Sequence, residues 1–310
     1  MSAPSPATVV GVGLMNVDEL FLVDSLPVLG GSRKAIAHSR QCGGPAPTAM
    51  ACLARFGVST RILARIGSDA NADFLCNQMA RLGVGIDFIQ RDSGACRVTG
   101  VFVDAASGDR GFLATPQDVA DLTATDINPQ AMAGAQVVLV DDADEAGIAA
   151  ARYAREAGQR VVFDGTWQSE KLDEFLPLVD VAIVSEFFAR RWMPEAPDEE
   201  IVGELLARGV ETAVLTLGAL GSITATPSGG LLKTPAFPVD VLDTTGAGDA
   251  FHGGYIYGML QSWPLPEVLR FASAAGALNC RQLGGQGGLP SLVEVQNLLT
   301  THENLVSVVG

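Results

Sequence analysis

The sequence is poor in histidine, aromatic residues and positive charge. Its three histidines, His38, His252 and His302, lie far apart, so no local histidine spacing suggests a metal site. Twenty Lys and Arg face 35 Asp and Glu, a net charge of −15. Phosphate backbones are bound by Lys and Arg, so the chain is poorly suited to nucleic acid. Five cysteines, Cys42, Cys52, Cys76, Cys96 and Cys280, are an odd number without a Cys-x-x-Cys. They suggest neither a disulfide framework nor a zinc ribbon, and fit thiols in a reducing compartment. Several motifs are missing too. Gly11-Val-Gly13 begins a dinucleotide fingerprint, but Asn16 stands where the third glycine belongs. No Gly-x-x-x-x-Gly-Lys-Ser/Thr and no Gly-x-Ser-x-Gly occurs, which excludes a P-loop kinase and argues against an α/β-hydrolase. The first six residues carry no basic region, which argues against a secretory signal. The longest uncharged stretch, Ala250 to Pro266, holds His252, three glycines and two prolines and reads as two helix segments, not a membrane span. A soluble cytoplasmic protein is expected, with neither membrane nor nucleic acid as a partner.

Hydrophobic residues reach 48% and charged residues only 18%, which excludes global disorder. The 310 residues are enough to bury a large core. Short β-branched runs read as buried strands: Thr8–Gly13, Thr60–Ala64, Gln136–Val140, Arg160–Asp164, Val181–Val184 and Thr212–Leu217. Helical patterns lie between them at Ala46–Phe56, Ala70–Leu82, Asp144–Ala157 and Asp198–Arg208. Gly57, Gly83, Gly158 and Gly209 follow these helices, where a left-handed cap favours glycine. The alternation predicts an α/β fold, a central mostly parallel sheet flanked by helices. Asp18–Arg40 and Arg97–Leu113 break the rhythm and read as hairpins of a small β-sheet lid. No linker is marked, so residues 1–310 read as a single domain.

The glycine-rich turn Asp243-Thr-Thr-Gly-Ala-Gly-Asp249-Ala-Phe251 opens an apolar helix. Free amides and the partial positive charge of the helix N-terminus make such a turn an anion site. A carboxylate in its first turn, Asp249, stands beside that anion and is placed to take a proton from an attacking hydroxyl. The same string also fits an ordinary Thr N-cap with an acidic first turn.

This string resembles the C-terminal signature of the PfkB, or ribokinase-like, carbohydrate kinases. An N-terminal counterpart appears in Gly43-Gly44-Pro-Ala-Pro-Thr48, followed by Arg65-Ile-Gly67-Ser-Asp69. The two lie about 200 residues apart, in the family's order, and the resemblance extends over nearly the whole chain. It implies a ribokinase-like fold and transfer of the ATP γ-phosphoryl to a sugar hydroxyl, a primary one on a furanose or ketose, with Mg²⁺. By that resemblance Asp249 would be the catalytic base, and the amides of Gly246, Ala247 and Gly248 would hold the moving phosphoryl. Asp18, Gly43, Gly44 and Thr48 would bind the sugar, with Arg110 a candidate from the lid. Thr216, Gly218 and Gly221 would lie beside the nucleotide phosphates with Thr245; Ala275, Gly276 and Asn279 would flank adenine. Asp243, Thr245, Gly284 and Gly288 fall where many members bind a monovalent cation such as K⁺. A homodimer through the lid is the implied assembly.

Two departures stand out. Thr48 replaces the Asn common in the di-glycine motif, losing an amide's paired donor and acceptor. Ser185-Glu186-Phe187-Phe188 replaces an Asn-x-x-Glu that organises Mg²⁺ waters, so Glu186 is an offset, indirect metal candidate. Local strings such as Phe163-Asp164-Gly165 and Phe251-His252-Gly253 are similar to the ketohexokinase and sulfofructose kinase group. Asp141-Asp142 and Asp144-Glu145, after the strand that ends at Val140, favour a neutral or amino-bearing sugar, or else Asp141 and Asp142 cap the next helix. Two other readings remain: a nucleoside kinase, with Phe21 and Phe112 as the base wall, and a non-catalytic sugar or nucleotide sensor on the same fold.

Overall fold

The structure is a computed structural model and describes residues 8–116 and 118–309. Its first half runs β1 (Val9–Val12), β2 (Asn16–Val23), β3 (Ala37–Gly43), α1 (Pro45–Arg55), β4 (Thr60–Ile66), α2 (Ala70–Arg81), β5 (Val84–Arg91), β6 (Val98–Asp104), β7 (Arg110–Ala114), α3 (Pro129–Met132), β8 (Val137–Val140) and α4 (Glu145–Glu156). The second half runs β9 (Arg160–Gly165), α5 (Leu172–Phe175), β10 (Val181–Ser185), α6 (Glu186–Trp192), α7 (Asp198–Ala207), β11 (Thr212–Thr216), β12 (Ser222–Ala225), β13 (Leu232–Thr234), α8 (Ala247–Leu260), α9 (Leu265–Asn279), α10 (Leu292–Thr301) and β14 (Val308–Val309).

Ten strands form one sheet in the order β14-β13-β12-β11-β10-β9-β8-β1-β4-β5. From β5 to β11 every neighbour is parallel; β12, β13 and β14 add an antiparallel edge. The strand runs are apolar on both faces because both are covered. Val9, Leu139, Val162, Ile183 and Val214 meet α1, α2, α8 and α9 on one face. Val10, Val140, Phe163, Val184 and Leu215 meet α4, α5, α6 and α7 on the other. Local sequence sets the helix ends. Asp69 and Asp144 cap α2 and α4 by accepting the N–H of Ala72 and Gly147, and the glycines after α1, α2, α4 and α7 all have positive φ.

The second sheet has the order β3-β2-β6-β7. It is less simple than two hairpins, because β2 and β6 pair in parallel and bring the two segments together. It also extends past the expected bounds: β2 starts at Asn16, and β3 runs on to Gly43, so the lid strand delivers the di-glycine directly. Leu20, Leu22, Val101 and Val103 form the lid's inner face and pack with Leu242 and Leu283 of the main body. Side chains alternate along β2, so Asp18 shares that inner face.

An aromatic cluster locks the helices that carry the phosphate turn. Phe271 of α9 stacks on Tyr257 of α8 at 5.2 Å and meets Phe56, just past α1, edge-on at 5.5 Å. Trp263 closes the cluster at 5.2 Å from Phe271. Phe271 is fully buried. Its replacement by Ala leaves a large cavity, and a loss of about 3–5 kcal/mol is expected in chemical denaturation.

Candidate active site

The C-terminal ends of the parallel strands form the cleft floor, the usual place for a site in such a sheet. Above it stands the N-terminus of α8. Gly246 makes the turn into this helix at φ 74°, a conformation costly for any residue with a Cβ. A Cβ there would also lie 2.5 Å from the Gly285 Cα. Gly246 offers no side-chain cap, so the helix end stays open to a ligand. The Ala247 N–H leans on the Thr244 carbonyl at 3.3 Å, which closes the turn.

Asp249 sits in the first turn of α8. Burial, then the charge of Asp164, push its carboxyl well above the usual range; Arg110 partly offsets them. Asp18 comes from the lid, and Asn16 Nδ2 holds its carboxylate at 2.6 Å while reaching Thr99 Oγ1 at 3.0 Å. Burial raises the Asp18 pKa to about 6 despite the Asn16 bond. Gly43 lies against Asp18 so closely that a Cβ would stand 2.3 Å from the carboxyl carbon. Gly44, at φ 109°, caps α1 and turns the chain into Pro45. Thr48, one turn into α1, is buried and faces Gly285.

Arg110 answers one question left by the sequence. Its guanidinium donates to Thr244 Oγ1 at 2.7 Å, and Thr244 donates to the Gly108 carbonyl at 2.9 Å. The lid hairpin is therefore tied to the phosphate turn. Arg40 instead pairs with Glu19 at 3.1 Å on the outer face. Phe21 also lies on that outer face, stacked on Phe102 at 5.9 Å and tilted against His38 at 4.9 Å. This corrects the base-wall assignment: Phe21 is turned away from Asp18, and only Phe112 lies on the inner side.

The nucleotide-side candidates gather around α8, α9 and the end of β11. Thr216 Oγ1 donates to the Val184 carbonyl at 3.4 Å, and Gly218 opens a single turn ending at Gly221. Ala275 is buried; Gly276 packs against α8, where a Cβ would lie 2.9 Å from the Ala247 carbonyl oxygen. Asn279 is fully buried beneath the phosphate turn and donates to the Thr245 carbonyl at 3.0 Å.

Asp243 is fully buried and accepts the N–H of Thr245 at 2.8 Å and of Gly284 at 2.7 Å. Thr245 Oγ1 and Asn279 Oδ1 beside it are buried oxygens without a hydrogen-bond partner. Gly288 packs on Asn279, where a Cβ would lie 2.1 Å from its carbonyl oxygen. Glu186 is separate: it opens α6 and pairs with Arg190 at 3.6 Å, and Ser185 caps the helix by accepting the Phe188 N–H at 3.2 Å.

A cavity of about 250 Å³ lies at the end of β8 beside Pro45. Asp121, Asp141, Asp142, Asp144, Arg65 and Arg97 line it, with Trp167 as a wall. Asp141 is not the cap of α4. It accepts the N–H of Leu14 and of Ala46, each at 3.2 Å, and so braces the first turn of α1. Asp142, raised to about 6 by burial and the Asp144 charge, faces the same space. Asn16, Gln41, Asp164 and His252 were not picked out by sequence as site residues. All four lie in or beside recognised strings, Asn16 by Asp18, Gln41 by the di-glycine, Asp164 between Phe163 and Gly165 and His252 after Phe251, but no local pattern gave them a role.

Among known proteins, residues 7–292 match the model of the pfkB family carbohydrate kinases. The chain is 27% identical over 290 residues to a 5-dehydro-2-deoxygluconokinase of Geobacillus kaustophilus, covering 84% of this chain and 85% of the relative. The ribokinase of Thermotoga maritima superposes with TM-score 0.82 at 24% identity, over 95% of this chain and 99% of that one. An Escherichia coli protein described as a ribokinase II, solved with ATP and Mg²⁺, gives TM-score 0.83 at 21% identity, over 96% and 100%. An open helix N-terminus, a carboxylate in its first turn and a lid aspartate above it are thus combined with a family match over nearly the whole length: the chain belongs to the pfkB family of carbohydrate kinases.

Proposed function

We propose that the enzyme moves the γ-phosphoryl of ATP to a primary hydroxyl of a furanose or ketose that is neutral or carries an amine. The observation that carries this is Asp249, raised in pKa, in the first turn of an uncapped helix N-terminus and beneath a lid that contributes Asp18. The sugar lies against Gly43 and Gly44 with Asp18 accepting from its hydroxyls. Asp249 takes the proton of the attacking hydroxyl as the oxygen meets phosphorus. The α8 amides and Arg110 face the charge on the transferring group. The lid, drawn down through Arg110, Gly108 and Thr244, excludes water that would compete as acceptor.

Mg²⁺ bound with ATP would neutralise charge on the β- and γ-phosphates. Among the described residues no group of three or more His, Cys, Asp or Glu forms a metal cage, which suits an ion that keeps its waters and phosphate ligands. Glu186, half-exposed and offset, would reach it only through water. The orphaned oxygens of Thr245 and Asn279 next to Asp243 fit K⁺, with the Gly284 and Gly288 segment completing the oxygen set.

The cavity at the end of β8 supports the choice of sugar. Four carboxylates face two guanidiniums there, and Arg65 is already paired with Asp126 and with Asp92. The Geobacillus relative is named for a gluconate derivative, so sugar acids belong in the test. ADP release with Mg-ATP is measured over ribose, fructose, tagatose, amino sugars, 2-keto-3-deoxygluconate, sulfofructose, adenosine and inosine. A neutral or amino sugar should stand out, and Asp249→Asn should lower turnover by about 10²–10⁴-fold. A sugar acid or sulfosugar as the best acceptor overturns the substrate class; full turnover in Asp249→Asn overturns the base.

A homodimer through the lid is the assembly we favour. Leu26, Val28, Leu29, Ile36 and Leu113 on or beside the lid are exposed, and β3 and β7 are open edges. Sedimentation equilibrium at micromolar concentration should give a dimer; a monomer there contradicts the assembly.

A further inference from the structure

One turn beyond Asp249 on α8 stands His252, buried in the core side of the cleft. Its Nδ1 lies 2.8 Å from the Gly248 carbonyl oxygen and 3.2 Å from Oδ2 of Asp164. Its Nε2 lies 3.3 Å from the Ile183 carbonyl oxygen. All three neighbours are acceptors. Asp164, near the end of β9, is 2% exposed. Its Oδ1 accepts from Thr166 Oγ1 at 2.9 Å, while its Oδ2 has no hydrogen-bond partner and faces the imidazole ring.

A neutral imidazole has a single N–H, so one ring nitrogen would press a lone pair against an oxygen in a buried place. Protons on both nitrogens give one N–H to the Gly248 carbonyl and one to the Ile183 carbonyl. They also supply a counter-charge to a carboxylate that burial alone would disfavour. The pair adjoins the phosphate turn, since His252 grips the carbonyl of the residue just before Asp249.

We propose that His252 and Asp164 form a buried imidazolium–carboxylate pair that positions the first turn of α8, and Asp249 with it. The proposal rests on the reading of Asp249 as the base. The negative charge of Asp164 favours proton uptake by Asp249; burial raises the Asp164 pKa, and the imidazolium, then Thr166, oppose that rise. The charged and titratable groups around Asp249 are Asp164 from β9, Arg110 from β7, Asp18 from β2 and Cys52 from α1. Asp141 at the end of β8 faces Asp164. Of these only Arg110 is cationic, and it works from the lid side. Both His252 and Asp164 are positioning residues in this account; neither touches the reacting atoms.

The test is NMR on the full chain without sugar or nucleotide. With three histidines, ¹⁵N-labelled imidazoles are readily assigned. His252 should show both nitrogens protonated at pH 7. The Asp249 carboxyl, labelled with ¹³C and identified by its loss in Asp249→Asn, should titrate lower in Asp164→Asn than in the native chain. Should Asp164→Asn not fold, His252→Asn keeps a donor near the Gly248 carbonyl, and the Asp164 carboxyl should then titrate higher than in the native chain. A singly protonated His252 at pH 7 overturns the proposal. So does an Asp249 titration unmoved in a folded Asp164→Asn, or an Asp164 titration unmoved in His252→Asn. Full sugar turnover in Asp249→Asn would instead remove the base and leave the pair intact, so the two failures are distinguishable.

Discussion

Carboxylates repel one another, and burial penalises each charge, yet this cleft gathers Asp18, Asp141, Asp164 and Asp249 beneath one lid. Asp164 raises the proton affinity of Asp249 and of Asp141, and Asp18 raises that of Asp249. Such a cluster persists only with compensation. The N-terminus of α8 supplies a partial positive charge beside Asp249, and Arg110 supplies a full one from the lid. Two backbone N–H groups hold Asp141, Asn16 holds Asp18, and His252 faces Asp164. The arrangement keeps proton acceptors in a site that is about to receive a highly charged nucleotide.

The rest of the fold maintains this arrangement. Parallel strands bring their C-terminal ends to one side, so Asp141, Asp164 and Thr216 arrive at one floor from distant parts of the chain. The aromatic cluster of Phe56, Tyr257, Trp263 and Phe271 fixes α8 against α1 and α9. It thereby fixes the turn at Gly246 relative to the di-glycine at the head of α1. Beyond the packing on Leu242 and Leu283, hydrogen bonds tie the lid to the segments around the turn into α8. Arg110 reaches Thr244 of the phosphate turn, and Gln41 of β3 donates to the Leu283 carbonyl and accepts the Gln286 N–H, at 2.8 and 2.9 Å. The proposed sugar and phosphate sites are therefore linked through hydrogen bonds that cross the cleft.

Local signals carried much of this into the sequence. Strand–helix alternation and glycines past helix ends act over a few residues and point to the α/β sheet. The two glycine-rich strings mark the turn into α8 and the head of α1 because their backbone geometry demands particular residues. What stayed hidden depends on pairing between distant segments. The parallel contact of β2 with β6 joins residues about 80 apart in sequence, and no local periodicity encodes it. The side taken by Phe21 is a matter of strand register, where one residue reverses a face. Asp141 resembles a helix cap by position but braces α1 across the sheet. His252 and Asp164 lie in separate segments, and only the folded sheet puts them 3.2 Å apart.

The central claim is that the N-terminus of α8 holds the transferring phosphoryl with Asp249 beside the acceptor hydroxyl. A crystal structure with ADP, aluminium fluoride, Mg²⁺ and the best acceptor sugar tests it directly. The account predicts the fluoride group within hydrogen-bond reach of the amides at Gly246 to Gly248. It also predicts the sugar oxygen in line with the metal fluoride and in contact with Asp249. A fluoride group bound away from that turn, or an acceptor oxygen out of reach of Asp249, would contradict the account.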